Sequence, residues 1–201
     1  MLSKVTACGL LGIDGFPVSV ETDISNGIPA FDIVGLGDTA VREAKERVRA
    51  AIKNSGFEFP SRRITVNLAP ADLKKEGTAY DLPIAAGILS ATGVFASDFL
   101  KNCMLCGELS LDGTLRPVYG ILSKAIAARD KNLEAIMVPP ENACEAAVVK
   151  GINVIPVKCL KKLVEYANGL IRITPVVVEW NSARSEDMEN IPDFAEVKGQ
   201  Q

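Results

Sequence analysis

GELSLDGTLRPVYGILSKAIAARDKNLEAIMVP, running from Gly107 to Pro139, passes from alternating hydrophobicity to helical spacing and back again. Leu109 and Leu111 alternate with Ser110 before an Asp112-Gly113 turn, and Leu115 and Val118 continue beyond it. Apolar spacing from Ile121 to Ala128 predicts a helix that leads into a strand over Ala135 to Val138. Pro117 has no amide proton for a ladder, so the second strand ends at or before it, and Gly120 lies in the run-in to the helix. Strand, tight turn, short strand, helix and strand make a mixed α/β unit. The upstream chain then supplies the remaining strands and one long helix.

Working back toward the N-terminus, Val5 to Leu11 and Val18 to Thr22 flank Gly12-Ile13-Asp14-Gly15 and read as a hairpin. An Asn26-Gly27 turn precedes Ala30 to Val34, which predicts an antiparallel three-strand meander. Gly35-Leu36-Gly37-Asp38 lacks the third glycine of a dinucleotide fingerprint and any following Lys-Ser or Lys-Thr, so it reads as a strand-to-helix turn capped by Asp38. Thr39 to Asn54 is amphipathic, with Val41, Ala44, Val48, Ala51 and Ile52 on its buried face. An adjoining flank carries Arg42, Lys45, Arg49 and Lys53, and Arg62 with Arg63 follows. Such a row can track a phosphate backbone, or it can be a solvated face laced with ion pairs. Ile64, Val66 and Leu68 predict a strand, and Ala69 to Thr78 a polar loop whose Asp72, Lys74, Lys75 and Glu76 are candidates for interface contact or for simple solvation. Asp81 to Leu89 reads as a buried small-residue helix with Asp81 or Leu82 as its cap.

Downstream, Glu141 to Val149, Asn153 to Val157 and Leu160 to Tyr166 predict helix, strand and helix over a small parallel sheet. Ile171 to Trp180 adds an edge strand, interrupted at Pro175. The chain of 201 residues has a net charge of -3. That sum hides a body over residues 1–178 with 20 basic and 19 acidic groups, and a tail over 179–201 with 2 and 6. The tail therefore reads as an acidic linker, 179–191, followed by the start of a further module, 192–201. Five cysteines and no histidine exclude a histidine metal site. Cys103-Met-Leu-Cys106 suits structural cysteines, with a redox pair or metal half-site as alternatives. No run reaches the ~20 apolar residues of a membrane span, and the expected setting is a reduced cytoplasm.

The loop Asn67-Leu-Ala-Pro-Ala-Asp-Leu-Lys-Lys-Glu-Gly77, the string Tyr80-Asp-Leu-Pro-Ile-Ala-Ala-Gly87 and Gly107-Glu-Leu-Ser-Leu-Asp-Gly113 together resemble the N-terminal domain of the magnesium-chelatase-like AAA+ family. The resemblance covers nearly the whole chain, and Pro192-Asp-Phe194 onward is similar to the entrance of that family's ATPase module. It implies an α+β fold of the ribosomal protein S5 domain 2 and Lon proteolytic-domain type, a mixed sheet with packed helices. It also implies an accessory role in an ATP-dependent hexameric protein that drives DNA branch migration during natural transformation. ATP and Mg²⁺ then belong to the longer protein and no cofactor to this portion. The partners implied are the AAA+ module of the same polypeptide, further copies in a homo-hexamer, and single-stranded or branched DNA, with no membrane.

Two departures from the family's wider pattern matter. No GxxxxGK[ST] string occurs, so this chain carries no phosphate-cradling loop. Lon-type proteases place a serine nucleophile and a lysine base where this chain has Ile84 or Ala85, depending on alignment, and Leu122. Hydrocarbon at both positions leaves no group to attack a carbonyl or carry a proton. Two readings remain: a non-catalytic domain that binds or guides DNA, and a structural module that organises the ring without touching DNA. The small-residue helix and the Ala69 to Thr78 loop are the features that favour the second.

Overall fold

A computed structural model describes residues 1–178. The expected acidic linker and the start of a further module lie outside the described residues. β1 (Leu2–Leu11) and β2 (Asp14–Ser25) form the long N-terminal hairpin, in register from Leu2 opposite Asp23 to Leu11 opposite Asp14. β3 (Ala30–Val34), α1 (Thr39–Asn54) and β4 (Arg63–Ala69) follow, then α2 (Asp81–Ala91), a short 3-10 turn over Ser97–Leu100 and β5 (Cys103–Leu105). β6 (Glu108–Leu109) and β7 (Leu115–Arg116) make a small hairpin. α3 (Ile121–Asp130), β8 (Ala135–Val138), α4 (Pro140–Ala146), β9 (Asn153–Pro156) and α5 (Leu160–Ala167) complete the order.

Seven strands join in one mixed sheet in the order β3-β4-β2-β1-β5-β8-β9, and β6-β7 stands apart. Within the sheet only β2 runs against its neighbours: the pairs with β1 and β4 are antiparallel, and the others are parallel. The expected antiparallel meander is therefore corrected, because β4 inserts between β2 and β3 and pairs with β3 in parallel, from Ala30 opposite Arg63 to Val34 opposite Asn67. The physical reason lies in α1. Its apolar stripe needs a sheet beneath it, and a helix linking neighbouring parallel strands supplies one. The chain between Ser25 and Ala30 is long enough to step past one intervening strand of about 5 Å width.

Two apolar clusters lie on opposite faces of the sheet. Val5, Val20, Ile64, Val66 and Leu105 pack beneath α1, α2 and α5. Met104, Ile136, Val138 and Val154 pack beneath α3 and α4. α2 is the centre of the first cluster, with every residue from Asp81 to Ala91 buried. Its small side chains allow close approach: a Cβ on Gly87 would stand 2.5 Å from Thr22 Oγ1. The small residues of this helix, expected as a sign of a ring-organising module, serve packing within the domain, since β1, β2, α1 and α5 enclose it. The expected cap is corrected too. Tyr80 occupies the cap position without a side-chain bond, and Asp81 turns inward. Of the edge strand expected over residues 171–180, the described residues 171–178 form one antiparallel contact, Val176 N donating to Val154 O at 2.9 Å, and residues 179 and 180 lie outside the described residues.

Candidate nucleic-acid interface

α1 is fixed at its start by Asp38, whose Oδ1 accepts from Val41 N at 2.8 Å while Oδ2 accepts from Gly77 N at 3.1 Å. Gly35 (φ 107°) permits the turn into the helix, because a Cβ there would meet Leu68 O at 2.2 Å. The buried stripe is Val41, Ala44, Val48, Ala51 and Ile52. Burying that stripe aims the flank of basic residues outward. Arg42, Arg49 and Lys53 are exposed, and Lys45 is half-buried with Nζ 3.5 Å from Asp32. The Arg49 guanidinium sits 4.9 Å above the Phe59 ring, which in turn packs on Phe31 at 5.7 Å. Arg62 and Arg63 are exposed at the entrance to β4, and Arg62 borders an open cleft of about 540 Å³ that Met1, Glu58 and Thr92 also line. Stacking on Phe59 thus places Arg49 against the same connection that carries Arg62 and Arg63.

Arg47, a fifth basic residue of α1, does something else. Its Nε donates to Asp81 Oδ2 at 2.7 Å and its Nη2 to Oδ1 at 3.0 Å, with a further bond to Ala40 O at 2.9 Å. Asp81 is wholly buried and also accepts from Leu109 N at 3.2 Å. Burial pushes the Asp81 carboxyl up to about 6, against the pull of Arg47 and the Leu109 amide. The fork therefore ties α1, α2 and β6 together and takes Arg47 out of any surface row. A signal for it existed in the sequence: residue 47 falls on the Ala44 and Ala51 stripe, and a lone carboxylate in an apolar helix needs a charged partner.

The loop after β4 departs from the expectation of a solvated segment. Asp72, Lys74 and Glu76 are exposed, and Lys74 pairs with Glu76 at 2.6 Å. Lys75 is buried, its Nζ donating to Leu73 O at 2.7 Å and to Pro70 O. Burial lowers its pKa. Its backbone N donates to Leu36 O at 3.1 Å and its O accepts from Asp38 N at 3.0 Å, so the loop docks on the turn that starts α1. Lys75 is thus a structural plug and not a contact residue.

Ile84 and Ala85 are fully buried in the core, whereas Leu122 is 40% exposed on α3. The neighbouring polar groups are engaged elsewhere. Ser123 Oγ donates to Ile13 O at 2.5 Å, and Lys124, itself buried, donates from Nζ to Tyr119 O at 2.6 Å. Cys103 and Cys106 enter opposite apolar clusters, as residues three apart on an extended strand do. Burial pushes these thiols up to about 12 and about 11, so neither the redox pair nor the metal half-site has a geometry here. Among the described residues no three His, Cys, Asp or Glu side chains gather into a metal-binding group. None of the described helices is long and apolar enough to cross a membrane.

Residues 20–142 match the family of subunit ChlI of Mg-chelatase. The chain belongs to that family. Competence protein ComM of Haemophilus influenzae is 40% identical over 203 residues, covering 100% of this chain and 39% of the relative. YifB of Salmonella typhimurium is 48% identical over 148 residues, covering 74% and 29%. The Lon protease of Rhizobium meliloti is 28% identical over 192 residues, covering 89% and 23%. The chain spans about two-fifths or less of the length of these relatives. As a member of the ChlI family it is related to the AAA+ ATPases, and its mixed sheet with packed helices is the Lon-like fold. The sequence has no P-loop string, and Asp81, the buried carboxylate on α2, is already paired with Arg47.

Proposed function

We propose that this domain is a non-catalytic accessory of an ATP-dependent hexameric DNA helicase of the branch-migration type, working in the cytoplasm and contacting DNA phosphates through α1. The observation that carries the reading is the solvent-facing row Arg42, Arg49 and Lys53, which Arg62 and Arg63 extend past the Phe59 stack. Lysine and arginine rows of this kind bind polyanions by releasing condensed counterions. ATP and Mg²⁺ would be held by the remainder of the longer protein.

Anisotropy titration of this chain with single-stranded and forked DNA tests the reading. Binding is expected to weaken by at least ~10-fold between ~50 and ~200 mM salt, and Arg49→Glu with Lys53→Glu to abolish it. Absence of binding at low salt, both for the chain and for the longer protein, would sink the proposal. A second reading, a ring-organising module without DNA contact, is favoured by one feature. Leu122 and Ile126 are exposed one turn apart on α3, beside exposed Ile13 of the first hairpin. Deleting residues 1–178 from the longer protein and finding its hexamer unchanged in sedimentation would eliminate that alternative.

A further inference from the structure

Where the two halves of the sheet meet, β1 and β5 run in parallel through a single register pair, Thr6 opposite Met104, whereas β1 and β2 pair along their whole length. Two residues beyond that pair stand Cys8 on one chain segment and Cys106 on the other. Residues two apart on an extended chain share a face, and both thiols are buried in the same apolar cluster as Met104, on the side that carries α3. The Cys8 amide lies against the Cys106 sulfur. One cation enters this cluster. Lys124 of α3 is buried, its Nζ donates to Tyr119 O at 2.6 Å, and no carboxylate among the described residues pairs with it. Burial pushes both thiols up, Cys106 adds to that at Cys8, and the nearby Lys124 pulls both back down.

Spacing and charge together select one kind of ligand. Neighbouring strands lie ~4.8 Å apart, wider than the ~3.8 Å between Cβ atoms that a disulfide prefers. Two metal–sulfur bonds of ~2.3 Å set in line span ~4.6 Å, close to the strand spacing. Zinc takes four ligands, whereas a soft monovalent ion is held by two thiolates. We propose that Cys8 and Cys106 form a two-thiolate site for a soft monovalent cation of the copper(I) class, with the Met104 thioether as a neighbouring soft donor and Lys124 as the counter-charge. On binding, two S–H protons leave to solvent as two metal–sulfur bonds form, and no electron is transferred. The complex carries one net negative charge, which Lys124 offsets; a disulfide at the same place would leave that buried cation unmatched. A metal held there staples β1 to β5 at the seam between the halves of the sheet. The site stands independently of the DNA reading.

Cu(I) titrated under argon into the full 201-residue chain, in competition with a chromophoric Cu(I) chelator, tests the site. One ion per chain is expected, with a sulfur-only shell in X-ray absorption. Cys8→Ala and Cys106→Ala are each expected to weaken binding by at least ~100-fold, and Lys124→Met by ~10-fold with Lys124→Arg restoring it, since groups beyond the ligands act in that lower range. Thermal melts of the metal-free variants separate a lost site from a lost fold. Cys144→Ala with Cys159→Ala is expected to leave the affinity unchanged. The thiols then remaining are Cys8, Cys103 and Cys106, and Cys103 enters the opposite cluster, so a two-thiolate shell in that chain identifies the pair even where an alanine variant fails to fold. Loss of binding with Cys144 and Cys159, nitrogen or oxygen in the metal shell, or equal affinity in the unaltered chain and a folded Cys8→Ala, Cys106→Ala double variant would overturn the proposal. So would Zn(II) displacing Cu(I) at equal concentration.

Discussion

The two halves of the sheet face different surroundings. β3, β4, β2 and the outer part of β1 send alternate side chains under α1 and α2 and leave the other set in a polar layer. There Asn67 Nδ2 donates to Glu21 at 3.0 Å and Lys4 lies 3.5 Å from the same carboxylate. β5, β8 and β9 send alternate side chains into two separate apolar clusters, so Met104 and Leu105 are each wholly buried on opposite faces. A strand covered once reads as an alternating pattern; a strand covered twice reads as an apolar run with no period. The difference also separates the surfaces: the ionic layer and the α1 flank belong to the first half, and an apolar groove lined by Ala143, Pro156, Ile173 and Val176 to the second.

The largest expected effect removes the clamp that holds the covering layer over the first half. Arg47→Met leaves Asp81 buried without its cation, and a loss of ~3–5 kcal/mol is expected in urea unfolding at neutral pH. The pH dependence has a definite sign. Asp81 holds its proton to about 6 in the native chain, above the value of the unfolded one, so stability falls as pH rises through that window. In Arg47→Met the fall extends to higher pH, and Asp81→Asn in the same background restores much of the loss. A pH-independent defect would show that the pair does not carry the clamp.

Next comes a direct test of single against double coverage. On β5, Met104→Ala and Leu105→Ala are each expected to cost ~2–5 kcal/mol, because either face opens a cavity. On β4 the same truncation is expected to be costly at Val66 but below ~1 kcal/mol at Asn67, whose only buried-side loss is a bond to a partly exposed carboxylate. Comparable losses at Met104 and Asn67 would break the distinction. Smaller than the losses on β5, Gly87→Ala forces a Cβ against Thr22 Oγ1 and is expected to cost ~1–3 kcal/mol by moving α2 off the sheet. The least effect is expected from Thr22→Val. Its hydroxyl is buried with no partner among the described residues, so replacing it with a methyl is expected to be neutral or to stabilise by up to ~1 kcal/mol in thermal melting.

Legibility follows the same divide. The α1 boundaries, its Asp38 cap and all five residues of its stripe were readable because each rests on contacts within a few positions along the chain. β5 is not legible in the sequence, since Cys103-Met-Leu shows neither alternation nor length. The basic row was readable as a row, and the place of Arg47 on the Ala44 and Ala51 stripe set it apart, although only the fold supplies Asp81 as its partner. Lys75 looked like part of a charged loop, and only the docking of that loop on Leu36 and Asp38 buries it.

By itself, the order of residues determined α1 and most other elements, the family resemblance and the hydrocarbon at Ile84, Ala85 and Leu122, all of which depend on local spacing or side-chain identity. Tertiary structure alone decided that β4 separates β2 from β3, that Asp81 is a clamp and not a cap, and that a groove opens beside Val176. Those outcomes depend on which distant surfaces meet, and burial assigns a charge its role only once its surroundings have closed around it.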